Sequence, residues 1–186
     1  DNAVYDFKND RSIITTSGTS VGAGKDLQLQ LNNKSMSLNS GADAVKADAI
    51  TIKINDVDKL DIAAKDKALL AENGGQIIIN NKGLLSSKNA LAVNGAGSAI
   101  KVNGLINIDT GKNDALTVAD GSMQLAGGSI TGNVNASGAG SVNVNVNEQA
   151  AGSNTVKITF DNFNVVKSRD IISSPYNKRQ DSYADR

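Results

Sequence analysis

The chain has 186 residues, with 19 basic and 19 acidic side chains and no His, Cys or Trp. The lack of His and Cys excludes disulfides, thiolate zinc sites and nucleophilic triads that need a His base. The charges cancel, and there is no basic stripe or aromatic platform, so the composition argues against binding to nucleic acid or to an anionic membrane surface. The sequence has no run of 18 or more apolar residues, so we expect no membrane insertion by this segment.

The polar residues favour turns over helices. The chain has 23 Asn and 17 Asp but only 2 Glu, and Asn and Asp prefer turns and left-handed corners. Aromatic residues make up 3% of the chain, so its core must be built from Val, Ile, Leu and Ala.

Short runs of alternating apolar and polar residues follow one another along the chain. Gly, Asn, Asp or Ser bounds each run, which is typical of strands separated by tight turns. The predicted strands lie in residues 12–18, 26–33, 35–41, 49–56, 75–81, 90–95, 99–104, 105–111, 115–121, 122–128 and 141–147.

Residues 56–75 allow a second interpretation, because Leu60, Ala63, Ala64 and Leu69 lie loosely at helical spacing. The alternative is two further strands, KLDIAA and KALLAEN. We favour the strands, because short apolar runs bounded by turn-forming residues continue through the segment.

The runs resemble one another and recur at intervals of about 16 to 26 residues, which is the interval of a solenoid coil. One coil cannot bury its own inward side chains, but coils stacked about 4.8 Å apart align like residues into ladders. Asn suits the corners and can pair with an Asn of the next coil. The sequence therefore predicts an all-β protein, a parallel β-helix (β-solenoid) with capped ends.

All the aromatic residues lie near the two ends of the chain. Large side chains there can cap the open core of a solenoid, or they can dock one molecule end to end on another. The six candidate residues are Tyr5, Phe7, Phe160, Phe163, Tyr176 and Tyr183.

The pattern places a solenoid body with its N-terminal cap in residues 1–160, and a C-terminal cap strand with an extended tail in residues 161–186. Residues 154–167 read as a last strand pair, whereas 173–186 lacks periodicity and holds the single Pro. The first ten residues lack the basic and apolar regions of a signal peptide, so an export signal, if there is one, is expected to have been removed or to lie outside this sequence.

No pattern predicts a cofactor or a metal site. Asp56, Asp58 and Asp61 form the densest acidic cluster, but Lys59 lies among them, as expected of a solvated face rather than a cation site. The segment GAGKD at 22–26 fails as a phosphate loop in its spacing, and Asp26 follows the Lys where Ser or Thr is required.

Residues 73–134 resemble the passenger domains of bacterial autotransporters and related haemagglutinin-type secreted adhesins. The matching features are Gly-Gly-x-Ile openings, Ala-Leu-x-Val strands, Asn-Gly turns and Asp-Thr-Gly corners. The resemblance implies a right-handed parallel β-helix, displayed extracellularly or on the bacterial outer surface.

Three functions are expected from these observations. The first is a non-catalytic structural or adhesive surface protein, whose partner is a host or bacterial surface receptor or a glycan. The second is a self-assembling extracellular filament subunit, whose partners are copies of itself joined through the terminal segments. The third is a β-helical enzyme acting on polysaccharides, which would need paired carboxylates in a groove.

Overall fold

The computed structural model describes residues 3–138, 141–144, 157–159 and 164–165, and every element in these ranges is a strand. No helix among the described residues has the length and apolar character needed to cross a membrane. In chain order the strands are β1 Ala3–Asp6, β2 Arg11–Thr16, β3 Val21–Gly22, β4 Leu27–Ser40, β5 Val45–Asp48, β6 Thr51–Ala64, β7 Leu69–Glu72, β8 Gln76–Asn81, β9 Leu85–Ser87, β10 Leu91–Asn94, β11 Ala99–Ala119, β12 Ser122–Ser137, β13 Ser141–Val144, β14 Lys157–Thr159 and β15 Asn164–Val165.

The strands stack in parallel as a β-solenoid. One ladder runs β1–β4–β6–β8–β11–β12–β13. This ladder forms the first side of the coil, and strands β4, β6, β11 and β12 continue around a corner onto the next side. The predicted parallel solenoid is therefore confirmed, and no antiparallel pair occurs among the described strands.

The same pairing builds a second and a third side. The second side contains β2, the later parts of β4 and β6, then β9, the middle of β11 and β12, and β14. The third contains β3, β5, β7, β10, the ends of β11 and β12, and β15. Each coil is thus a three-sided turn of chain.

Inward side chains of successive coils lie directly over one another. On the first side, Leu27 pairs with Ile52, Ile52 with Ile77, and Ile77 with Ile100. Ile52 and Ile77 are fully buried, and burying such a side chain stabilises the fold by about 1.5–3 kcal/mol. Similar aliphatic stacks on the other two sides close a single core, whose buried members run from Val21 to Val134.

The corners use residues that tolerate a left-handed backbone. Positive φ occurs at Asn32, Asn33, Asp56, Asn73 and Asp120, and also at Ala49. Asn and Asp adopt this conformation at less cost than most residues. The prediction of Asn at coil corners is confirmed, and Asp serves the same purpose.

Residues 56–75 are extended rather than helical. Most of the segment lies in β6 and β7, and the inward positions Leu60 and Ile62 stack on Met36 and Leu38 of the preceding coil. The strand interpretation is confirmed, because cross-coil stacking decides the conformation over loose helical spacing.

Candidate functional site

An open groove of about 510 Å³ crosses the outer surface of the second side. Its central column of outward residues belongs to successive coils, because Ile13 pairs with Ser37, Ser37 with Asp61, Asp61 with Ser86, and Ser86 with Asn107. The column therefore runs along the solenoid axis and samples a new coil about every 4.8 Å. We call this feature the second-side groove.

Small side chains are part of the lining of the second-side groove. Ser37, Ala63 and Ser86 lie among longer lining residues such as Arg11 and Lys88. In the central column, Ser37 and Ser86 are the neighbours of Asp61 on the two adjacent coils. Bulk added at either Ser would therefore occupy the groove.

Two hydrogen-bonded residues fix the wall of the groove. Ser87 is buried and donates its hydroxyl to the carbonyl oxygen of Ile62 at 2.8 Å. Asn89 donates its amide to the carbonyl oxygens of Ala64, at 2.8 Å, and Asp66, at 2.9 Å. These contacts tie the corner after β9 to the coil before it and hold the wall in place.

The charges in the groove balance. Arg11 and Lys88 are basic, and Asp61 and Asp109 are acidic. The Asp61 carboxylate lies 3.8 Å from the Lys59 ammonium, and the Asp109 carboxylate accepts the amide of Gly111 at 3.0 Å. A surface of balanced charge suits a neutral or mixed-charge ligand better than a polyanion.

Much of the hydrogen-bonding capacity in the groove is unused. Within residues 3–138, the side chains of Ser37, Ser86 and Asn107 make no hydrogen bond to the protein. They offer donors and acceptors on three of the five coils that line the groove. An external ligand can engage them without breaking internal contacts.

The outer surface of the first side differs in this respect. Asn80 donates its amide to Asn55 at 2.6 Å, and Asn103 donates to Asn80 at 2.5 Å. The predicted pairing of Asn residues between coils is thereby confirmed. The Asn side chains of this ladder are hydrogen-bonded to one another, whereas the polar side chains Ser37, Ser86 and Asn107 of the second-side groove are available to a ligand.

A second recess, of about 410 Å³, lies at the corner between the second and third sides. Thr110 donates its hydroxyl to the carbonyl oxygen of Asn113 at 2.8 Å, and Asn135 donates its amide to Asp114 at 2.7 Å. Most polar contacts here are internal, so the recess is a weaker candidate for a binding site.

Two ion pairs connect neighbouring coils. The Lys34 ammonium, 2.9 Å from Asp10, lowers the pKa of that carboxyl, through their hydrogen bond first and charge attraction second. The Glu72 carboxylate, 3.3 Å from Lys46, raises the pKa of that ammonium through the same two causes. Both pairs keep their members charged, as expected of surface contacts that support the stack.

Of the aromatic residues predicted as capping or docking sites, the two that the structure describes, Tyr5 and Phe7, do not line the groove. Tyr5 is 58% exposed on β1, and Phe7 is partly buried against the core. The other four predicted residues, and the 160/161 boundary between body and tail, lie outside the described residues: Phe160, Phe163, Tyr176 and Tyr183.

The acidic cluster identified in the sequence is dispersed by the fold. Asp56 occupies a corner with positive φ and accepts the amide of Gln30, whereas Asp61 faces the groove. Among the described residues, no group of three or more His, Cys, Asp or Glu side chains is placed to hold a metal ion.

Sequence reasoning missed the second-side groove. Its residues come from five coils, and none of them belongs to a recognisable motif. The sequence feature that could have indicated the groove is a column of small and polar residues at outward positions. These residues can be aligned into a column only when the coil register is known.

Comparison of the chain with protein-family models, with curated proteins and with solved structures found no match.

Proposed function

We propose that this chain is a non-catalytic structural and adhesive protein of a bacterial cell surface or secreted layer, and that it binds through the second-side groove. The observation that carries the proposal is the column Ser37, Asp61, Ser86 and Asn107, which presents polar side chains from successive coils on a concave strip. The resemblance to secreted adhesins supports the extracellular location.

The chemistry of the groove favours binding over catalysis. Its two carboxylates, Asp61 and Asp109, lie two ladder steps and two residues apart, which is about 9.6 Å along the axis and about 6.6 Å along the strand. Glycoside hydrolysis uses carboxyl pairs about 5–9.5 Å apart. Combined, the two displacements separate these positions by about 12 Å, which is beyond that range.

Single contacts of this kind are weak, because hydroxyl and amide groups exchange bonds to water for bonds to a ligand. Many copies on one surface would combine such contacts into strong attachment. The partner is therefore a repetitive surface, namely a cell-surface glycan or receptor presented in many copies.

The test is adhesion of beads that carry the chain in many copies to host cells, to bacterial cells and to a glycan panel. Ser86→Trp places an indole ring among the lining residues of the groove, and Ser122→Trp places the same bulk at an exposed position on the first side. We expect Ser86→Trp beads to lose adhesion and Ser122→Trp beads to keep it. Equal adhesion by both variants, or no adhesion by the unmodified chain, contradicts the proposal.

A second candidate function is a filament subunit, and the edge formed by β1, β2 and β3 favours it. In the described part of the chain these strands pair on one side alone, with β4 and β5. Val4, Tyr5 and Ile13 are each more than half exposed along this edge. An open edge with apolar side chains accepts another strand, and head-to-tail addition extends into a filament.

Electron microscopy distinguishes this candidate from adhesion. The unmodified chain should form fibres, and Tyr5→Lys or deletion of residues 173–186 should abolish them. Single particles for all three proteins at high concentration would exclude the filament and leave groove-dependent adhesion unaffected.

A further inference from the structure

The sequence contains three Asn–Gly dipeptides, at residues 73–74, 94–95 and 103–104. Asn–Gly is the dipeptide most prone to spontaneous deamidation, because glycine does not shield the attacking amide. The Gly nitrogen attacks the side-chain carbonyl carbon of Asn and forms an imide. The Asn amide nitrogen leaves as ammonia with the proton of the Gly amide, and water then opens the imide to aspartate or isoaspartate.

The fold requires glycine at each of these positions. Gly74 and Gly95 have φ of +82° and +105°, which disfavours any other residue. A Cβ on Gly104 would lie 2.2 Å from the main-chain oxygen of Asn81. The solenoid thus cannot avoid the hazard at these corners by replacing the glycine.

Each glycine amide donates a hydrogen bond to another coil. The Gly74 amide donates to the Ser98 hydroxyl at 2.9 Å. The Gly95 amide donates to the carbonyl oxygen of Ala119 at 2.7 Å. The Gly104 amide donates to the Asn81 side-chain oxygen at 2.8 Å. The atom that would attack is therefore engaged at all three sites.

Two of these acceptors are buried polar side chains within the aliphatic solenoid. Ser98 is 1% exposed and Asn81 is 7% exposed. Ser98 also donates its hydroxyl to the carbonyl oxygen of Asn94 at 3.1 Å, so one residue contacts two of the Asn–Gly corners. Asn81 donates its amide to the carbonyl oxygens of Gly83 and Leu105, at 2.8 and 2.9 Å.

We infer that Asn73, Asn94 and Asn103 are latent self-modification sites. They are held unreacted because Ser98, the Ala119 carbonyl oxygen and Asn81, respectively, engage the neighbouring glycine amides. Isoaspartate would insert one extra carbon into the main chain at a corner. Such an insertion disturbs the stacking of that coil on its neighbours, so protection of these corners preserves the ladder.

The first test compares deamidation in the folded chain and in the chain held unfolded in urea, both aged in mildly alkaline buffer. Peptide mass spectrometry measures aspartate and isoaspartate at each site. We expect conversion at all three sites in urea and little conversion in the folded chain. Similar rates in both states would overturn the inference.

The second test uses Ser98→Ala, with Ser122→Ala as the matched control, because Ser122 is an exposed Ser whose hydroxyl makes no hydrogen bond among the described residues. Ser98→Ala should speed deamidation at Asn73 about tenfold, which corresponds to about 1.4 kcal/mol. Asn103 should keep its slow rate, because Asn81 still holds its neighbour. An unchanged rate at Asn73 would overturn the role of Ser98.

Hydrogen exchange of the unmodified chain keeps the inference testable if Ser98→Ala does not fold. The amides of Gly74, Gly95 and Gly104 should exchange slowly. The amide of Gly24, which lies outside the strands and donates no hydrogen bond among the described residues, should exchange fast. Fast exchange at the three Asn–Gly glycines would refute protection by these hydrogen bonds.

Discussion

Replacement of Ile77 by Ala should destabilise the solenoid strongly. Ile77 is fully buried between Ile52 and Ile100 of the adjacent coils. Such truncations cost about 2–5 kcal/mol. Main-chain hydrogen bonds fix the spacing of the coils, so the neighbours cannot close the cavity, and we expect a loss of about 3–4 kcal/mol in the free energy of unfolding.

The next residue provides a matched control. Ile78 lies on the same strand, points outward and is partly exposed. Ile78→Ala removes the same atoms without leaving an enclosed cavity, and should cost about 1 kcal/mol through lost packing and strand propensity. The difference between the two variants, about 2–3 kcal/mol, measures the inward and outward alternation of β8.

Urea unfolding followed by circular dichroism measures both variants. With a slope of about 1–3 kcal/mol per molar, Ile77→Ala should lower the midpoint by about 1–4 M. Because coils of a solenoid unfold semi-independently, hydrogen exchange in β8 should locate the loss. Equal destabilisation by the two variants would refute the assignment of Ile77 to the core stack.

Three further predictions concern the glycine corners, the Asn ladder and a surface ion pair. Gly104→Ala should prevent normal stacking, because the added Cβ would overlap the preceding coil. Gly24→Ala, whose Cβ would have no atom within 4 Å, should be neutral or should stabilise the fold by about 0.4–1 kcal/mol. Similar melting temperatures for the two variants would contradict this prediction. Asn80→Ala should cost about 1–2 kcal/mol by removing both ladder bonds, and an unchanged urea midpoint would show that the ladder contributes nothing. The Glu72 carboxylate raises the pKa of Lys46, so the contribution of this pair to the free energy of unfolding should be complete at neutral pH and lost as the pH rises through that raised pKa. This contribution is below about 1 kcal/mol. A stability difference between the unmodified chain and Lys46→Met that grows with rising pH would contradict the predicted direction.

The sequence predicted the architecture because the alternation of apolar residues determines which side chains face the core. Ile52 and Ile54, for example, could be assigned to one face from their spacing alone. The solenoid followed because such runs recurred without intervening helices. The sequence did not determine the number of residues per coil, because the turns between the strands vary in length. In the structure, stacked positions are 25 residues apart at Leu27 and Ile52 but 23 apart at Ile77 and Ile100.

The groove and the hydrogen bonds that engage the Asn–Gly glycine amides could not be predicted, because both depend on the register between coils. Ser86 and Asp61 are 25 residues apart and become neighbours only when β9 pairs with β6. Ser98 shows the same limitation, since an isolated Ser before a strand gives no sign that its hydroxyl accepts the amide of Gly74. Properties of one strand can be read locally, whereas properties of a stack require the pairing.

Disulfide formation between introduced cysteines tests the parallel, in-register stack most directly, because the chain has no Cys of its own. Gln28 pairs with Lys53, and Gln30, two residues along the same face, pairs with Asn55. Directly paired positions lie about 4.8 Å apart and can be bridged, whereas diagonal positions about 7–8 Å apart cannot. We expect rapid cross-linking of the double variant Gln28→Cys/Lys53→Cys and little cross-linking of Gln30→Cys/Lys53→Cys. Equal or reversed yields of the cross-linked product would contradict the stacked solenoid.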